Sequence, residues 1–205
     1  MLYTIHPDNP DQRKIKLVAE ILEKGGIIIY PTDTVYSFGC SLMNKRAIER
    51  LAKLKDVKLK HANFSIIFYD LSHLSDYTKA IDRATYKILN KNLPGPFTFI
   101  LEASNKIPKL FETNKKTIGI RIPNNNIALE IVKVLGHPLV TTSLHDDDEI
   151  LEYITDPELI HEKYENTVDI VIDGGFGHNH ASTVIDCTEG DSVVLREGIG
   201  SLSVL

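Results

Sequence analysis

Short β-branched runs alternate with segments of helical periodicity along nearly the whole chain. That alternation restricts the fold more than any other feature, because it demands helices layered on a sheet. Asp11 to Lys24 places Ile15, Val18, Ala19 and Leu22 at helical spacing, and Gly25-Gly26 stops the helix. Ile27 to Tyr30 follows as a buried strand. The same reading gives helices over Lys45–Lys55, Ile81–Leu89, Asn124–Leu135 and Pro157–Tyr164. It gives strands over Asn63–Tyr69, Phe97–Leu101, Thr117–Pro123, Pro138–Ser143, Val168–Asp173, Ser182–Asp186 and Ser192–Arg196. Some connections have hairpin length and others carry a helix, so the sheet is expected to be mixed. With 205 residues, 42% of them hydrophobic, a single α/β domain spanning residues 1–205 accounts for the chain.

Several function classes are disfavoured at once. A net charge of -5 argues against a globally basic nucleic-acid binder, though not against a local basic patch. Cys40 and Cys187 form no CxxC and no disulfide framework. No signal peptide opens the chain, and no apolar run approaches the roughly 20 residues of a membrane span. A cytoplasmic protein without membrane contact is the expectation. Neither GxxxxGK[ST] nor GxGxxG is present. His178 and His180 of "GHNH" are too few for a metal site, and "HDDDE" reads first as a hydrated acidic loop, with "LHDDDEILEYITDPE" the best candidate for a mobile segment. Ser143 near His145 suggests a nucleophile and base, but no nucleophile-elbow pattern surrounds them. No metal ligand is assigned.

The polar residues at strand ends are more informative. "YPTDTVYSFGC", Tyr30 to Cys40, passes from a buried strand into hydroxyls and small residues. Thr32, Thr34, Thr98, Thr117, Thr141 to Ser143, Ser182 and Thr183 place further hydroxyls at strand ends. In open α/β sheets ligands collect beyond strand ends, although threonine is also simply a good strand former. Arg121 lies in an otherwise apolar alternating strand, and Arg196 follows "SVVL". A guanidinium facing a core needs an anion. Either a carboxylate such as Asp173 or Asp186 serves, or a bound carboxylate or phosphate does. Lys45 to Lys60 holds seven basic residues against two acidic ones. It reads as a solvated helix face followed by a basic loop suited to a triphosphate or RNA.

"GGIIIYPTDTVYSFGC", "PGPFTFIL", "TIGIRIP", "TTS", "DGG", "STVID" and "REG" occur in this order. The series resembles the YrdC-like family of threonylcarbamoyl-AMP synthases, and the opening "YTIHPDNPDQR" is most similar to its YciO branch. The resemblance implies a twisted mixed sheet flanked by helices around a concave, positively lined cavity. It implies condensation of L-threonine, bicarbonate and ATP, with Mg2+, into threonylcarbamoyl-AMP and pyrophosphate, for tRNA threonylcarbamoyladenosine modification. Carried over, it assigns L-threonine to Thr34, Thr117, Arg121 and Ser182. It assigns the nucleotide to Lys55, Thr142, Ser143 and Arg196, with Lys55 and Ser143 catalytic; Lys58 and His145 are expected nucleotide contacts in place of the arginine and asparagine that this chain lacks. RNA, whether tRNA or double-stranded RNA, is an associated partner of the fold.

The sequence departs from the synthase pattern at defined points. Where the family has an arginine two positions after its lysine, this chain has Val57. Where alanine and asparagine follow "TS", it has Leu144 and His145, and Asn63-Phe64 replaces a proline-leucine pair. Each lost charge-assisted phosphate contact removes about 1.5–3 kcal/mol. The expectation is therefore a weakened or substrate-altered synthase, with a non-catalytic nucleotide- or double-stranded-RNA-binding protein of the YciO type as the alternative.

Overall fold

The computed structural model describes residues 1–111, 116–144, 155–190 and 192–201. Ten strands among them form one mixed sheet. In chain order the elements are β1 (Leu2–Thr4), α1 (Gln12–Glu23), β2 (Ile27–Tyr30), β3 (Ser37–Ser41), α2 (Lys45–Leu54), β4 (Ser65–Ile67), α3 (Arg83–Asn92), β5 (Phe97–Glu102), α4 (Lys106–Phe111), β6 (Thr117–Arg121), α5 (Asn126–Leu135), β7 (Leu139–Ser143), α6 (Pro157–Tyr164), β8 (Ile170–Asp173), β9 (Thr183–Asp186) and β10 (Val193–Arg196). The strand order is β1-β8-β2-β3-β7-β4-β6-β5-β9-β10. β2 and β3 are antiparallel, β3 pairs β7, and β4 and β6 are parallel, so the expected mixed α/β architecture is present.

Local chemistry sets the helix ends. Asp11, Asn44, Asp82 and Asn125 each accept a backbone N–H at the N-terminus of α1, α2, α3 and α5. Such caps satisfy donors that the helix leaves orphaned. Gly136 ends α5 with φ 75, a left-handed conformation that glycine adopts without Cβ strain.

Side-chain alternation gives the sheet two different faces. On one, Phe38, Cys40, Ile66, Phe99, Ile120, Val140 and Ile185 join Ala47, Ile48 and Leu51 of α2 and Leu89 of α3 in the main core. On the other, Ile28, Tyr30, Ile67, Leu139, Ile170 and Ile172 pack with α1 and α5. That second helical layer reaches from β8 and β2 as far as Leu139 of β7 and Ile67 of β4. Across β4, β6 and β5 the same face carries Ser65, Gly119 and Ile100, which are only half-buried and belong to neither core. A Cβ on Gly119 would lie 2.6 Å from Ser65 Oγ and 3.2 Å from Thr98 Cγ2. The glycine therefore lets three strands approach without a side chain between them.

β1, β3 and the six-residue α4 are additions to the sequence reading. β3 escaped detection because Ser37, Gly39 and Ser41 lack the β-branched signature of a strand. Their smallness has a structural purpose: Gly39 lies against the Tyr30 ring, whose hydroxyl reaches Thr141 Oγ1 at 2.8 Å.

Candidate functional site

The loop between β2 and β3 is a compact hydroxyl-stapled turn. Thr32 Oγ1 donates to the Val35 carbonyl at 2.8 Å and accepts from Thr34 N–H at 3.0 Å. The two threonine hydroxyls lie 3.0 Å apart. The loop folds toward β6, where Arg121 Nη2 donates to Asp33 Oδ1 at 2.8 Å and to Thr34 Oγ1 at 3.0 Å. Asp33 Oδ2 accepts from the Asn124 N–H at 2.9 Å, which ties the loop to the β6–α5 connection. The Arg121 and Asp33 side chains are only 7% and 8% exposed. Among the described residues, Arg121 Nε is buried with no hydrogen-bond partner.

A second group lies beside the first. Thr98 Oγ1 and Ser182 Oγ share a hydrogen bond at 2.8 Å, and Arg196 Nη2 donates to the Ser182 carbonyl at 3.1 Å. β5 and β6 are antiparallel with Phe99 opposite Ile120, so the next pair along sets Thr98 beside Arg121. β9 follows β5 in parallel, and Arg196 of β10 lies opposite Val184 of β9. Thr34, Arg121, Ser182 and Arg196, drawn from four distant segments, therefore occupy neighbouring positions at one end of β6, β5, β9 and β10.

Other expected members sit elsewhere. Lys55 lies just past the end of α2, and its Nζ donates to the carbonyls of Ser143 at 3.2 Å and Leu144 at 3.5 Å. That point is two strands away from β6, about 10 Å across the sheet. Thr117 is not brought to Arg121: it begins β6, exposed and opposite Glu102, about 13 Å along the strand from Arg121. Thr142 and Ser143 do not share a face, because Thr142 pairs with Phe38 of the main core while Ser143 pairs with Ser37. Lys58 is exposed. His145, like the rest of the "HDDDE" segment, lies outside the described residues.

The carboxylate that meets Arg121 is Asp33, not Asp173 or Asp186. Asp173 receives Thr4 Oγ1 and Gly175 N–H, and Asp186 receives Thr188. The sequence holds the signal for this in the acidic residue of "PTDT" itself, but the partner of a distant arginine is fixed only by the fold of the loop. Among the described residues no group of three or more His, Cys, Asp or Glu gathers to hold a metal, and His180 turns its Nδ1 to Asn179.

Departures from the synthase pattern gather at the main core. Phe64 and Leu144 are buried in the main core, and Val57 packs against it. Val57, where the family's phosphate-binding arginine is expected, has become a packing residue, while Phe64 and Leu144 stand where apolar residues are expected.

A hollow of about 400 Å³ opens beside the loop, lined by Pro31, Thr32, Asp33, Asn124, Phe176 and His178 among others. Asp33 and His178 are its titratable walls, so it is not the positively lined cavity that the resemblance implies.

The sequence matches the family profile Sua5_yciO_yrdC, described as telomere recombination, over residues 20–198. The chain belongs to this family. It is 41% identical over 202 residues to the YciO protein of Escherichia coli strain K12, covering 98% of this chain and 96% of that one. It is 33% identical over 130 residues to a threonylcarbamoyl-AMP synthase of Nitrosococcus oceani, covering 63% of this chain and 70% of the other. The crystal structure of E. coli YciO superposes with a TM-score of 0.89 at 40% identity, covering 100% and 99% of the two chains. The structure of P. abyssi Sua5 complexed with L-threonine superposes at 0.87 with 25% identity, over 97% of this chain and 57% of that one. The fold of this family member is thus that of YciO and Sua5. No helix among the described residues is long and apolar enough to cross a membrane.

Proposed function

We propose that this family member is a threonylcarbamoyl-AMP synthase of reduced phosphate affinity, acting on L-threonine, bicarbonate and ATP and releasing pyrophosphate. The observation that carries the reading is the juxtaposition of Arg121, with a buried unpartnered Nε, and the Thr98–Ser182–Arg196 group. A buried donor without an acceptor is costly, by about 1–3 kcal/mol, and a substrate carboxylate relieves it. Support also comes from the synthase named among the relatives and from the Sua5 structure holding L-threonine.

The chemistry needs no protein nucleophile. The threonine amine, once it has given up its ammonium proton, attacks bicarbonate with loss of water, or CO₂ with loss of a proton, to give a carbamate, whose oxygen attacks the α-phosphate of ATP and displaces pyrophosphate. Thr34 and Arg121 would fix the amino acid, the Ser182 hydroxyl would meet the carbamate, and Arg196 the phosphate. Lys55, held over the Ser143 and Leu144 carbonyls, would have to turn toward the triphosphate. Positioning and charge neutralisation supply the acceleration. Mg2+ would neutralise triphosphate charge; the described residues form no carboxylate cluster for it, so no step is assigned to a protein-held ion. Transfer of the product's threonylcarbamoyl group to tRNA adenosine belongs to other proteins.

The test is incubation of purified protein with radiolabelled bicarbonate, L-threonine, ATP and Mg2+, followed by pyrophosphate and adduct. Product above a no-enzyme blank supports the synthase. The packing of Val57 against the main core, where the family's phosphate-binding arginine is expected, favours a second reading, a nucleotide- or RNA-binding protein that has lost catalysis. It draws on the exposed Lys45, Arg46, Lys53, Lys58 and Lys60. No product, together with salt-sensitive RNA binding, selects this alternative.

A further inference from the structure

We infer that Asp33 is a specificity-determining residue that makes this site select a zwitterionic α-amino acid over a simple carboxylate. The inference rests on the amino-acid reading above and goes further, because it assigns the ammonium half of the ligand.

Arg121 and Asp33 form a buried pair whose charges cancel. A site built only to hold an anion would leave its guanidinium uncompensated; this one is neutral before the ligand arrives. The pair is also incompletely used on both sides. Arg121 spends Nη2 on Asp33 and Thr34, and its Nε has no partner among the described residues. Among the described residues, Asp33 receives one bond on Oδ1 and one on Oδ2, from Arg121 and Asn124. A carboxylate accepts about four hydrogen bonds, so acceptor capacity remains. Asp33 also lines the open hollow, so an incoming group can reach it.

A spare cationic donor and a spare anionic acceptor, joined by one ion pair, are the complement of a zwitterion. The ligand carboxylate goes to Arg121 Nε and its ammonium to Asp33. A carboxylate without an amine joins a pair that is already neutral, so it adds an unbalanced negative charge beside Asp33, and like charges repel. The Thr34 hydroxyl, already on Arg121 Nη2, keeps the guanidinium plane fixed while the ligand exchanges in.

The experiment compares L-threonine with (R)-3-hydroxybutanoate, which keeps the carboxylate and hydroxyl but lacks the amine. Both are titrated by calorimetry into wild type and Asp33→Asn. Wild type is expected to prefer L-threonine by about ten- to a hundredfold, the worth of one charge-assisted hydrogen bond. In Asp33→Asn the preference should fall to within about threefold, and 3-hydroxybutanoate should bind more tightly than to wild type, because Arg121 is freed of its internal counter-charge. A merely structural role for Asp33 would weaken both ligands together, and that result in a folded variant overturns the proposal. Equal binding of the two ligands to wild type also overturns it while leaving the amino-acid reading intact. Binding of neither ligand removes the amino-acid reading and the inference with it. The wild-type comparison decides alone should Asp33→Asn fail to fold.

Discussion

Replacing Arg121 by alanine probes the centre of the site through stability alone. The substitution leaves the Asp33 carboxylate, 8% exposed, with the Asn124 N–H as its remaining bond. Breaking a buried pair by removing one partner costs about 3–5 kcal/mol, because the surviving charge is left uncompensated. For a chain of this size each kcal/mol moves the melting temperature by about 2–4 °C, so Arg121→Ala should lower it by about 6–20 °C. Removing both charges tells a different story. Arg121→Met with Asp33→Asn eliminates the orphaned carboxylate, keeps the volume and allows an amide oxygen to accept from Asn124. That double variant should recover most of the loss, and the cycle should give a coupling energy above about 2 kcal/mol. Urea unfolding of wild type, Arg121→Met, Asp33→Asn and the double variant closes the cycle, with Arg121→Ala measured beside them. An Arg121→Ala loss below about 1 kcal/mol with additive singles would mean a solvent-screened pair, of the kind usually worth 0–1 kcal/mol. The buried site described here would then be wrong.

Other substitutions test adjoining features. Gly119→Ala should destabilise by about 1–3 kcal/mol through overpacking, because its Cβ lands 2.6 Å from Ser65 Oγ; Gly119→Ala in a Ser65→Ala background should recover most of that in thermal melts. Burial pushes the Tyr36 phenol up to about 12 from 10.0, and Tyr30 rises further by the same cause. The folded state gains from the retained protons below about pH 10 and loses that gain as pH climbs through about 12. Unfolding free energy measured in urea should therefore fall across this interval, and less steeply in Tyr36→Phe. Val57→Arg restores the family's cation at a position that now packs on the main core. It should raise ATP affinity by about tenfold at a modest cost in stability, and an unchanged dissociation constant would refute the link between Val57 and weak phosphate binding. Lys58→Ala should weaken ATP in proportion to a single exposed point charge; no change would show that Lys58 does not stand in for the missing arginine.

Much of the fold could be read from periodicity, since buried strands such as Ile27–Tyr30 and helices such as Asn126–Leu135 carry clear patterns. What escaped was polar or short. β3 was invisible because its Ser37, Gly39 and Ser41 face is small where most strand faces are branched. Strand-end hydroxyls pointed to the site, and Thr34, Ser182 and Arg196 do join Arg121. Thr98 was visible as one more strand-end hydroxyl, but its contact with Ser182 depends on β5 and β9 pairing in parallel, which no local pattern encodes. Thr117 illustrates the opposite limit. Four residues from Arg121 on one strand face looks close in sequence, yet an extended chain puts those residues at opposite ends of β6. Thr142 was grouped with Ser143 through the "TS" segment of the family resemblance, and a two-residue period sends neighbours to opposite faces.

The central claim is that an amino acid binds between Arg121 and the Thr98–Ser182 hydroxyls. A crystal structure of the protein grown with L-threonine tests it most directly. The account predicts the ligand carboxylate within about 3 Å of Arg121 Nε, with its amine on the Asp33 side. L-threonine seated elsewhere, with Arg121 Nε still unpartnered, would contradict it.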